Sequence, residues 1–133
     1  MKFRLFAGSA ILLSASLILS ACSSNSSAVT NLGAQEFLSK TQSAGVVVID
    51  VRTAQEFKQG HIQGAMNIDV EGTTFESEIA KLDKGTTYAL YCQSGRRSGV
   101  ASQIMSKSGF TSLFNLQNGI QSWTSAGLPL VTN

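Results

Sequence analysis

The sequence predicts an α/β domain, a mostly parallel sheet with helices on both faces. Short apolar runs rich in β-branched or aromatic residues alternate with segments of helical spacing, and glycines punctuate the helical segments at their ends. The first run, Val46-Val47-Val48-Ile49, is apolar on both sides of the pleat, as a strand buried on both faces requires. Ala54 to Gln59 reads as a short helix stopped by Gly60, and Phe75 to Leu82 carries apolar residues at 75, 79 and 82. Tyr88-Ala89-Leu90-Tyr91 reads as a second buried strand. Ser98 to Ser108 then makes a helix with Val100, Ala101, Ile104 and Met105 on one face and Gly109 as its stop. Ser112 to Leu116 is a strand, and Gly119 to Ser125 a last helix ending at Gly127, with Pro129 beyond. Strands joined by helical crossovers run parallel.

The 133 residues suffice for one domain, and 43% hydrophobic against 14% charged residues excludes a disordered chain. Residues 1–21 read as an export signal, with Lys2 and Arg4 ahead of an apolar run from Leu5 to Leu19 and small residues before Cys22. The Leu19-Ser20-Ala21-Cys22 junction resembles the lipobox of bacterial lipoproteins, which implies lipid on Cys22. Residues 22–28 would then be the lipidated cysteine and a serine-rich tether, and 29–133 the folded domain. The expected location is the surface of a bacterial membrane facing the periplasm, and Ser23 after the cysteine fits outer-membrane sorting by analogy. Lys2 and Arg4 account for the net charge of +2, so 8 basic residues balance 8 acidic ones from residue 22 onward. No basic surplus remains for nucleic acid. Two cysteines 70 positions apart exclude a cysteine metal cluster, and no metal or cofactor is expected. A monomer is expected.

Cys92 is the candidate nucleophile. It follows the 88–91 strand and precedes Gln93-Ser94-Gly95-Arg96-Arg97-Ser98 and a helix. Ligands bind outside the carboxyl ends of parallel strands, and a helix N-terminus offers unpaired N–H groups and a favourable dipole. That field, with arginine nearby, stabilises a thiolate. Gly95 allows the sharp path of the loop, and Arg96 and Arg97 add positive charge.

Three segments together resemble the rhodanese family of sulfurtransferases. They are Val48-Ile49-Asp50-Val51-Arg52 continuing through Glu56-Phe57 to Gly60-His61-Ile62-Gln63-Gly64-Ala65, the loop Cys92 to Ser98, and Asn118-Gly119-Ile120 with Trp123 and Gly127-Leu128-Pro129. The resemblance implies a three-layer α/β/α fold around a five-stranded sheet, and a persulfide carried on Cys92. The implied donor is a thiosulfate-like anion and the acceptor a thiol or cyanide, with Gln93, Ser94, Gly95, Arg96 and Arg97 as the binding loop.

Asp50 and Ser98 are expected to support that loop, Asp50 by pairing with Arg97, and Arg52 is expected to pair with Glu56 four positions on. His61, the single histidine, is weighed as a general base, but a thiolate already stabilised by its loop needs none. Trp123 is expected to pack the last helix. One alternative is a Cys-dependent phosphatase or arsenate reductase, and another is a non-catalytic binding module. Tyrosine-type phosphatases place arginine six positions after the cysteine. Here that position is Ser98, and Arg97 leaves only four residues between, a tighter loop that favours sulfur.

Overall fold

The computed structural model describes residues 28–132. The expected signal, Cys22 and the tether through Ser27 lie outside the described residues. Ten elements follow in order: β1 (Val29–Leu32), α1 (Ala34–Thr41), β2 (Val46–Asp50), α2 (Ala54–Gln59), β3 (Met66–Asn67), α3 (Phe75–Ile79), β4 (Thr87–Tyr91), α4 (Arg96–Lys107), β5 (Leu113–Leu116) and α5 (Gly119–Ser125). The strands form one five-stranded sheet ordered β1-β5-β4-β2-β3, and every pairing in it is parallel.

The strand period of two divides the apolar residues into two cores. Val47 and Ile49 of β2, Tyr88 and Leu90 of β4 and Leu113 of β5 face Phe75 and Ile79 of α3 and Ala101 and Met105 of α4. Val48, Ala89, Tyr91, Phe114 and Leu116 point the other way, against Phe37 of α1 and Ile120 and Trp123 of α5. This is the three-layer arrangement. Phe37 sits edge-on to Tyr91 at 6.5 Å and to Trp123 at 6.4 Å, which locks the second core.

Three elements carry almost no sequence signal. β1 is a half-exposed edge strand, α1 buries only Phe37 along its length, and β3 has two residues. The expected boundaries also move. β2 takes in Asp50, α3 ends at Ile79, and α4 begins at Arg96, two residues before Ser98.

Beyond α5 the chain turns back across the sheet. Val131 and His61 exchange both backbone hydrogen bonds at 2.9 Å, and the Trp123 indole N–H donates to the Pro129 carbonyl at 2.9 Å. The His61 ring stacks on Phe57 at 3.7 Å, with Nδ1 at 2.9 Å from the Phe57 carbonyl oxygen. His61 therefore joins the end of α2 to the C-terminal segment.

Candidate active site

Apolar β4 gives way at Cys92 to a polar loop, and Gly95 turns that loop into α4. Its φ is +94°, a conformation that L side chains rarely adopt, and a Cβ there would meet the Asn118 backbone nitrogen at 3.1 Å. The reversal curls the loop around its own cysteine. The Gly95 N–H donates to Cys92 Sγ at 3.0 Å, and the Ser98 hydroxyl donates at 3.3 Å. Ser98 also donates to the Gly95 carbonyl at 3.3 Å, closing the loop on itself. Cys92 is a buried free thiol. Burial pushes its pKa up, but hydrogen bonds from the Ser98 hydroxyl and from the N–H groups of Ser98, Ser94 and Gly95 outweigh that, and the thiol lies below its ordinary 9.0.

The loop's carbonyls face the opposite way. Those of Cys92 and Gln93 accept from the N–H groups of Ile120 at 2.8 Å and Gln121 at 3.3 Å, in the first turn of α5. That approach leaves no room at Gly119, where a Cβ would lie 2.5 Å from the Gln93 carbonyl carbon and 2.6 Å from the Cys92 carbonyl oxygen. Donors thus point inward at sulfur while acceptors are absorbed by α5.

The ion pairs differ from the expected ones by an exchange of partners. Arg52 does not pair with Glu56. It lies just ahead of Thr53, the N-cap of α2, so the i,i+4 spacing of a helix does not apply to it. Its guanidinium instead folds back on Asp50, with Nη2 at 2.7 Å and Nε at 3.0 Å, and Nη2 also donates to the Gly60 carbonyl at 2.7 Å. Asp50 therefore does not pair with Arg97. Both members of the pair are buried, and Asn67 donates to their backbone carbonyls at 3.0 and 2.7 Å. Asp50 braces the turn between β2 and α2.

Arg97 takes Glu56 instead, through two parallel bonds of 2.9 and 2.8 Å. Glu56 is also the capping residue of α2, accepting from the Thr53 N–H at 3.1 Å and the Thr53 hydroxyl at 3.0 Å. The Arg97 bond first, and these Thr53 bonds with it, hold the Glu56 carboxyl down at about 2. Arg97 meets a second carboxylate, Glu71, at 3.6 Å. Arg96 is exposed and makes no ion pair among the described residues.

Glu56, Glu71 and Gly119 were not singled out by the sequence as site-forming. Glu56 and Gly119 stood in the family-like segments without a contact assigned to the Cys92 loop, and the Thr53-x-x-Glu56 capping box was a further signal for Glu56. Among the described residues no group of His, Cys, Asp and Glu has an arrangement that could hold a metal ion. None of the described helices is long and apolar enough to cross a membrane.

The family profile described as "Rhodanese-like domain" matches residues 33–126. The thiosulfate sulfurtransferase PspE of Escherichia coli is 40% identical over 67 residues, half of this chain and 64% of its own length, so the chain spans just under two thirds of that relative. A sulfurtransferase of Allochromatium vinosum is 31% identical over 86 residues, 65% of this chain and 78% of that protein. Among solved structures, a rhodanese-related protein from Thermoplasma volcanium superposes with a TM-score of 0.67 at 28% identity, covering 79% of this chain and 98% of its own.

Proposed function

This chain belongs to the rhodanese-like domain family, and from that premise we propose that it is a sulfurtransferase working through a persulfide on Cys92. The carrying observation is the convergence of the Gly95 N–H and the Ser98 hydroxyl on a buried Sγ whose pKa is lowered. The Cys92 thiolate attacks the outer sulfur of a donor such as thiosulfate. A new S–S bond forms, the donor's own S–S bond breaks, and its electron pair leaves with sulfite. The terminal sulfur of the persulfide carries the negative charge, in reach of the loop N–H groups. An acceptor such as cyanide or a small thiol then attacks that sulfur and the Cys92 thiolate departs, restoring the enzyme. With lipid on Cys22, the chain's other cysteine, the persulfide is discharged by an external acceptor.

The phosphatase alternative has less support. Tyrosine-type phosphatase chemistry holds the phosphate with an arginine six positions after the cysteine; that position is Ser98 here, and Arg97 beside it has both Nη atoms bound by Glu56. A non-catalytic module would have no use for a thiol so activated. The test is intact mass after thiosulfate treatment and gel filtration. One added sulfur on the wild-type chain and none on Cys92→Ser supports the reading. An unchanged mass with aryl phosphate hydrolysis overturns it.

The lipid anchor belongs to the same proposal and rests on the Leu19-Ser20-Ala21-Cys22 junction and the polar run after it. Metabolic labelling with a palmitate analogue should mark the wild-type chain and not Cys22→Ala. Absence of label on wild type removes the anchor and leaves the sulfur chemistry untouched.

A further inference from the structure

The sulfurtransferase reading above is the ground for a statement about donor charge. Val51, just past β2, donates to the carbonyl of Tyr91, the neighbour of Cys92, at 3.0 Å and accepts from the Val70 N–H at 3.1 Å. The turn around residues 69–72 is thereby stitched to the end of the strand that leads into Cys92. Asp69 sets that turn, its side chain accepting from the Glu71 N–H at 2.9 Å and its carbonyl from the Gly72 N–H at 3.1 Å. Glu71 ends up with its carboxylate 3.6 Å from Arg97 Nη1 and its side chain 57% exposed. Arg97 already has both nitrogens bonded to Glu56, so Glu71 is not required to neutralise it. The loop's Arg97 therefore faces two carboxylates, and its neighbour Arg96 makes no ion pair among the described residues.

The geometry points to Glu71 as a selectivity residue, a solvent-facing negative charge beside Arg97 of the Cys92 loop that disfavours doubly charged sulfur donors relative to singly charged ones. A charge near a binding loop acts on an incoming ion in proportion to that ion's own charge, and salt screens it. Specificity by repulsion needs no contact with the reacting atoms. Sulfur donors of low charge, such as organic thiosulfonates, are then the preferred class, and thiosulfate is taken against this field.

Thiosulfate and methanethiosulfonate make the test, since both present an outer sulfur on a sulfonyl group and differ by one negative charge. kcat/KM for each is measured with wild type, Glu71→Gln and Glu71→Lys, with cyanide as acceptor, at low and high ionic strength. Glu71→Gln should raise the thiosulfate value about threefold to tenfold at low salt, the methanethiosulfonate value by roughly the square root of that factor, and Glu71→Lys should extend both trends. High salt should bring the variants together. Equal factors for the two donors, or factors that ignore salt, overturn the inference and leave the sulfurtransferase reading standing. A wild-type chain that takes sulfur from neither donor overturns both.

Discussion

Glu56→Gln separates charge from shape at the junction of α2 and the Cys92 loop. Glutamine keeps the length of the side chain and still suits a capping box, so the α2 cap survives in large part. The charge on Arg97's main partner is lost, leaving a guanidinium only 16% exposed with Glu71 at 3.6 Å as its remaining carboxylate. The magnitude follows from proton binding. A carboxyl held at about 2 against an ordinary 4.5 binds its proton about 300-fold less readily, equivalent to about 3.4 kcal/mol. Glu56 is 30% exposed, and solvent screens such pairs, so about 1–2 kcal/mol is the expected loss at pH 7.

Its pH dependence has a definite sign. The folded-state pKa is depressed, so the stabilisation is fully present above the unfolded value near 4.5 and fades as pH falls toward about 2. Urea unfolding of wild type and variant at pH 7, 5, 4 and 3 reads the difference directly. The gap should hold from pH 7 to 5 and shrink through pH 4 and 3. A gap that stays constant down to pH 3 would show that the loss comes from cap geometry and refute the charge argument.

Other perturbations have equally direct readouts. Ser98→Ala removes the hydroxyl donor from Sγ, so the pH midpoint of Cys92 alkylation should rise and labelling at pH 7 should slow about tenfold; an unchanged profile would mean the N–H groups suffice. Gly119→Ala puts a Cβ within 2.5 Å of the Gln93 backbone at a φ of +61°; it should cost about 3 kcal/mol or more in urea unfolding, and tolerance within 1 kcal/mol would contradict that packing. Phe37→Ala empties a fully buried site between Tyr91 and Trp123, with an expected loss of about 3–5 kcal/mol and no change in the Cys92 alkylation midpoint.

The candidate nucleophile was legible because its whole environment is consecutive in sequence: strand, cysteine, polar loop and helix follow one another from Thr87 to Lys107. The buried strands were legible for a similar reason, since burial on both faces produces an unbroken apolar run. The ion pairs were not. Arg97 and Glu56 are 41 positions apart, and only the packing of α2 beside the loop joins them. Spacing assigned Arg52 to Glu56 because four positions fit a helix, but the helix starts after Arg52. Gly119 could be seen as a turn residue, but its reason is the backbone of another loop, which no local pattern reports.

The pairing of the first strand with the last has a consequence for the time at which this fold can close. β1 is held by β5 alone in the sheet, and Asn31 bonds to Asn115, 84 positions further along. At ordinary rates of translation that interval is about 4–17 s. Throughout it the first strand has no sheet to join, and the central β4 lacks the neighbour that covers its outer edge. The Val131–His61 clasp forms later still. A growing chain of this topology therefore keeps β1 unpaired until β5 has been made, so the sheet closes late in synthesis whatever the speed of its local elements.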